Sequence, residues 1–166
     1  MNKKLAKDYI TEALFILMKK KNYKDITITD ITKKAGVNRI TFYRNFETKE
    51  EIINKYIGKT FDDWGKRWEE SADPNIPYWL FKYFYEQKDF INLLYKSNIQ
   101  HFLMDYIILI CNSRTEENNI LAYTKSMFAY GLFGFCNEWY LRGMQETPEY
   151  MIKLIEEHNK TNQKND

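Results

Sequence analysis

The 166 residues, 44% apolar and 29% charged, are enough for one domain with a full core or two small units sharing one. No apolar run approaches the roughly 20 residues needed to span a bilayer, and MNKKLAKDYI shows no apolar signal core behind its lysines, so a cytoplasmic protein that crosses no membrane is expected. The net charge of +2 is uneven, because residues 1–60 carry 14 Lys/Arg against 7 Asp/Glu while residues 61–166 carry 11 against 16, a pattern that suits a polyanion-binding head on a body that binds none.

Few glycines and prolines and almost no period-two alternation predict an all-α chain of about nine helices. The first helix is expected over about Lys3 to Lys20, with Leu5, Tyr9, Ala13, Ile16 and Leu17 on its apolar stripe. Thr27 is a good N-cap for the second, with Asp30 at N3. Gly36 can take the left-handed conformation that closes this short helix. Asn38 then caps a third helix of about two turns, and Thr48-Lys49-Glu50-Glu51 is a capping box opening a fourth, from Lys49 towards Glu70. After SADPNIP, residues 77–112 become dense in aromatic, Leu and Ile residues and predict two or three buried helices. A long helix follows from about Glu116 to Arg142. Gly143 ends it, and Thr147-Pro148-Glu149 opens a last helix to about His158, with TNQKND frayed.

Helix, glycine turn, helix is the helix-turn-helix outline, in which the second helix lies in the DNA major groove. On a helical wheel Phe42 and Phe46 lie within about 40° of each other and mark a core face. Ile40, Thr41 and Arg44 fall opposite, with Tyr43 at the flank. Such a face offers a guanidinium that can bond guanine O6 and N7, hydroxyls, and an exposed isoleucine suited to a thymine methyl. The structural alternative for the same pattern is a solvated amphipathic helix in a bundle.

ITITDITKKAGVNRITFYRNFETKEEI, residues 26–52, closely resembles the N-terminal signature of the TetR/AcrR family of bacterial transcription regulators. There a Thr-Val/Ile-x-Asp-Ile-Ala helix precedes Ala-Gly-Val-Ser, Thr-Phe-Tyr-x-His-Phe and x-x-Lys-Glu-Glu-Leu. The resemblance implies a three-helix DNA-binding domain over residues 1–48 and a helical effector-binding and dimerisation domain over 49–166. It implies that Arg39, Ile40, Tyr43 and Arg44 contact bases, and that Thr27, Asn38, Thr41 and Lys49 contact phosphates. Two positions depart from the signature. Asn45 stands where histidine is usual and is expected to donate to a phosphate with shorter reach. Thr32 replaces alanine at a packed position and is expected to bond back within its own helix.

In that family the last two helices pair two subunits. Independently, Tyr123, Met127, Tyr130, Gly131, Gly134, Phe135 and Trp139 recur at helical spacing on a helix apolar nearly all round. Met151 and Ile155 on the last helix complete the expected dimer face. Gly131 and Gly134 each cost about 1 kcal/mol relative to Ala, which close approach of another helix would explain. A buried helix in a monomer is the alternative. The segment GLFGFCNEWYLRGMQETPEYM also resembles, more loosely, the end of a subgroup that includes the dihydroxyacetone kinase regulators.

The aromatic middle predicts ordinary core or a cavity. Trp64, Trp68, Trp79, Tyr83, Phe84, Phe102 and Tyr106 are the candidates to line a pocket for a small aromatic or lipophilic effector. Trp64 and Trp68 would link it to the head through the fourth helix. His101 is expected as hydrogen-bonded core, and Cys111 and Cys136 as reduced structural thiols. No P-loop, paired catalytic carboxylates, nucleophile with a base, or metal-ligand spacing is present, so neither enzyme activity nor a cofactor or metal is expected. The leading expectation is a homodimeric, ligand-responsive regulator, most often a repressor in the family, on a partly palindromic double-stranded DNA operator. The alternative is a non-enzymatic coactivator or adaptor that keeps the fold and binds proteins.

Overall fold

Local capping chemistry sets most of the helix ends. The computed structural model describes residues 3–73, 75–111 and 114–162, which form nine α-helices and one 3-10 turn, with no strand among them. The helices are α1 Lys3–Met18, α2 Ile28–Ala35, α3 Arg39–Tyr43, α4 Lys49–Ser71, α5 Ile76–Glu86, α6 Lys88–Lys96, α7 His101–Cys111, α8 Asn119–Leu141 and α9 Pro148–Asn162, with the 3-10 turn at Tyr23–Asp25. α9 continues past the expected end near His158, and the expectation of fraying for 163–166 lies outside the described residues.

Three helices end with the same device. A residue at positive φ lets the next amide reach back five residues, satisfying carbonyls the helix leaves free. Gly36 (φ 66) serves α2, with Val37 N–H donating to Thr32 O; Asn98 (φ 55) serves α6, with Ile99 N–H donating to Leu94 O; Gly143 (φ 86) serves α8, with Met144 N–H donating to Trp139 O.

The chain divides into two compact units, Met1–Phe61 with Phe90–Tyr106, and Asp62–Asp89 with Ile107–Asp166. The expected border at residue 48 falls at the start of α4, inside the first of them.

In the first unit, α1 buries Ala6, Ile10, Ala13, Leu14 and Met18. This corrects the expected stripe, since Leu5 and Tyr9 are 46% and 44% exposed. Two registers of apolar residues compete on this helix. The one that wins carries alanines at positions 6 and 13, and small side chains let neighbouring helices come close. Ile26, Ile31, Phe42, Phe46, Ile52, Ile53, Ile57 and Phe61 continue the core. Phe15, Tyr56 and Phe90 form a trio with ring centroids 4.5–5.2 Å apart.

In the second unit, Phe81 meets Phe135 and Trp139 at 5.4 and 5.7 Å, and Tyr85 stacks on Trp139. Three indole N–H groups secure the connection from α4 to α5: Trp64 donates to Trp79 O at 2.6 Å, Trp68 to Asp73 O at 2.7 Å, and Trp79 to the Asp73 carboxylate at 3.0 Å. Indole N–H groups drawn from water usually find such acceptors, although the Trp139 N–H, more deeply buried, has none among the described residues. Cys136 is buried and Cys111 half-buried, both free, and burial pushes the Cys136 thiol up to about 12. His101, expected in the core, is instead exposed at the start of α7 and stacks on Phe102. Leu103 and Met104 of the same turn take the buried side instead.

Candidate nucleic-acid interface

The head is built on α2. Thr27 Oγ1 accepts from Asp30 N–H at 3.1 Å while the Asp30 carboxylate accepts from the Thr27 N–H at 2.9 Å, a reciprocal capping box. The same carboxylate accepts from the Thr27 hydroxyl at 2.8 Å and pairs with Lys21 at 2.7 Å. The Lys21 ammonium, with the Thr27 donors, holds Asp30 well below the usual carboxylate range. A depressed folded pKa means that the cap's contribution is complete above about pH 4 and is lost as pH falls through the folded value. Thermal melts from pH 7 to pH 2 are therefore expected to show a shallower acid decline for Asp30→Asn than for the parent chain. Thr32, 5% exposed, donates its hydroxyl to Thr29 O at 3.1 Å, the back-bond expected of it.

Asn38 Oδ1 accepts from Thr41 N–H at 2.7 Å and opens α3. The regular helix has five residues rather than the two turns expected. Asn45 explains the difference. Its Nδ2 donates to Thr41 O at 2.7 Å, the carbonyl its own backbone amide would use in a continued helix. The Asn45 N–H turns instead to Phe42 O at 2.9 Å, tightening the chain through Arg44 to Phe46.

Phe42 and Phe46 are 0% and 3% exposed and anchor this segment. On the opposite face Ile40 is 64% exposed and Tyr43 55%, with Arg39, Arg44 and Asn38 also exposed and Thr41 half-buried. Thr27 is exposed at the start of α2. The face offers an isoleucine methyl, a phenol and two guanidinium groups, side chains of the kinds that can meet the methyl and polar edges of bases.

Two residues expected to contact phosphates point elsewhere. Asn45 is buried, its amide committed to Thr41 O, and its Oδ1 has no partner among the described residues. The shorter side chain closes on its own helix where a longer one would reach past it. Lys49 donates to Tyr23 O at 2.7 Å, Ile26 O at 2.9 Å and Lys24 O at 3.4 Å, with its ammonium 4.4 Å from the Tyr23 ring centroid. Tyr23 O also accepts from the Ile26 N–H at 3.1 Å within the turn, and the ammonium has three hydrogens to offer the three carbonyls. The next residue reinforces the brace, because the buried Tyr23 hydroxyl donates to Glu50 at 3.0 Å. Burial, and then the Glu50 charge, raise the Tyr23 pKa well above the tyrosine range. Lys49→Met is expected to cost about 2–3 kcal/mol of head stability, the worth of hydrogen bonds to one charged group. The salt dependence of DNA binding should not change, whereas loss of a phosphate contact would lower the salt slope by about 1. Chemical denaturation and binding titrations at several salt concentrations separate the two.

The residues expected to pair subunits also divide. Met127 is 73% exposed, and Tyr130, Gly131 and Gly134 share its outward side of α8, while Phe135 sits at the flank, 38% exposed and against Phe81. Trp139 and Met151 do not, being 3% and 4% exposed in the core of their own unit. Trp139 lies about 120° round α8 from Met127, one turn beyond Phe135, where Phe81 and Tyr85 cover it. The side chain of Ile155 lies outside the described residues. Sequence reasoning missed Ile120 and Leu141, both strongly exposed on α8. The signal that would have found them is the seven-residue spacing of Ile120, Met127, Gly134 and Leu141, which keeps all four on one side of the helix.

Of the effector candidates, Tyr83 and Phe84 are buried while Trp64, Trp68 and Trp79 are half-buried, all in the second unit. Phe102 and Tyr106 are half-buried in the first, where Tyr106 packs on Phe61 at 5.0 Å and against Gly58. No group of three or more metal-ligating side chains occurs among the described residues, and no described helix is long and apolar enough to cross a membrane.

Comparison with known proteins agrees with this geometry. Residues 10–56 match the family described as bacterial regulatory proteins, tetR family, and residues 75–160 match one described as transcriptional regulator C-terminal region. Over 47 residues the chain is 40% identical to the uncharacterized HTH-type transcriptional regulator YxbF of Bacillus subtilis (strain 168), covering 28% of this chain and 12% of that protein. One match spans the helix-turn-helix and the other more than half of the chain, so the chain belongs to the TetR family.

Proposed function

We propose that the protein is a homodimeric, ligand-responsive repressor that binds a partly palindromic operator through α2 and α3. The observation that carries the reading is the exposed Ile40, Tyr43 and Arg44 face held over the buried Phe42 and Phe46. In this reading Arg39, Ile40, Tyr43 and Arg44 read bases, while Thr27, Asn38 and Thr41 set the register on phosphates. Lys49 and Asn45 brace the head from within. The exposed apolar side of α8 supports a second copy as its cover, since a patch of this kind on a soluble chain marks an interaction surface. Two-fold pairing would place the recognition helices about 34–36 Å apart, one DNA turn.

In this reading the effector is aromatic or lipophilic, and five of its seven candidate contacts lie in the second unit. Trp64, Trp68 and Trp79 have committed their N–H groups to the chain, so they would offer ring faces rather than donors. The test is selection of the full chain against a random duplex library, followed by gel shift of the enriched duplex at two salt concentrations. A palindromic consensus is expected, with binding reduced at least tenfold by Tyr43→Ala and melting unchanged. Enrichment of no duplex, together with capture of a partner protein through α8, would favour the adaptor reading instead.

A further inference from the structure

Two exposed side chains on different helices of the head are joined by a hydrogen bond that the family signature does not call for. Arg39 opens α3, and its Nη2 donates to Thr29 Oγ1, in the first turn of α2, at 2.8 Å. Both residues are exposed. An isolated surface arginine explores many rotamers, and fixing one costs free energy when a ligand binds.

The chemistry of the partner matters as much as the bond. No carboxylate pairs with Arg39 among the described residues. The nearest acid in sequence to Thr29 is Asp30, and it is committed to Lys21 and to the Thr27 N–H and hydroxyl. A carboxylate at this place would orient the guanidinium but also neutralise it. A hydroxyl orients it and leaves its full charge and its remaining donors for another acceptor.

We infer that Thr29 is a positioning residue that holds the Arg39 guanidinium in the direction from which it reads a base. The inference rests on the DNA-binding reading above. Thr29 itself acts through Arg39, and its hydroxyl is the only part of the side chain that the role requires.

The test uses the full chain and the duplex enriched from the random library. Thr29→Val keeps the β-branched shape and removes the acceptor, so folding should be unaffected, and a thermal melt checks this. Binding is expected to weaken roughly threefold to tenfold, the cost of ordering one long side chain, with base preference flattened at a single position and the salt slope unchanged. Thr29→Ser should restore affinity and preference. In an Arg39→Ala background Thr29→Val should have no further effect, because a residue acting only through Arg39 is fully coupled to it.

Unchanged affinity and preference in Thr29→Val would overturn the role. So would an effect that persists in full without Arg39, which would make Thr29 a contact in its own right, or a loss equal across all sequences. If the parent chain enriches no duplex at all, the DNA-binding reading fails and this role fails with it, a result distinct from any variant outcome.

Discussion

Phe42→Ala is expected to cost about 3–5 kcal/mol, the usual range for removing a buried phenyl ring from a core. The ring is 0% exposed, meets the Tyr43 ring edge-on at 5.5 Å and lies 6.2 Å from Phe46. A five-residue helix has little stability of its own, since nucleation is unfavourable and few hydrogen bonds follow it. Phe42 therefore supplies much of what holds α3 in place. Set against a typical total of about 5–15 kcal/mol, the loss leaves the head partly unfolded at physiological temperature. Urea titration followed by helical signal should show the fall, and DNA binding should fail even in the cold because Tyr43 loses the ring that supports it. Phe42→Leu should retain most of the stability. An unchanged urea midpoint in Phe42→Ala would remove the anchor from this account.

Met127→Glu is expected to separate subunits without harming the chain itself. Met127 is 73% exposed, and surface substitutions of this kind stay within about 0.5 kcal/mol. In a dimer covering the outward side of α8, the glutamate would be buried unpaired, at about 3–5 kcal/mol. That corresponds to at least a hundredfold weaker association, visible by sedimentation across a concentration series. The glycines give a second reading with opposite signs. A Cβ added at Gly131 or Gly134 meets nothing within 4 Å, so alanine should stabilise the single chain by about 1 kcal/mol per site. Where another helix packs against these glycines, the same change weakens the pair. Dimerisation by this face is untenable if Met127→Glu associates as strongly as the parent, or if both alanines strengthen association along with stability.

Much of the head was legible because its signals are local. The Thr27 cap with Asp30 at N3, Gly36 at positive φ, the Asn38 cap and Thr48 accepting from the Glu51 amide are all written within four residues of where they act. The anchoring of Phe42 and Phe46 followed from helical period. The length of α3 did not, because a side-chain amide at position 45 diverts the carbonyl that a period-based reading gives to the backbone. On α1 two apolar registers were available, and only packing against the other helices of the unit chose between them.

By itself the sequence determined the helical class, the order and caps of the helices, and the division of α3 into a buried and an outward face. These depend on periodicity and on bonds spanning three or four residues. Only the tertiary structure decided where the long and polar side chains spend their donors. Lys49 reaches carbonyls 23 to 26 residues earlier, Arg39 reaches Thr29 across the turn, and Trp139 and Met151 turn into their own unit rather than outward. Flexible side chains go to whichever unpaired acceptor or apolar surface folding brings within reach, and residue spacing alone does not specify that meeting.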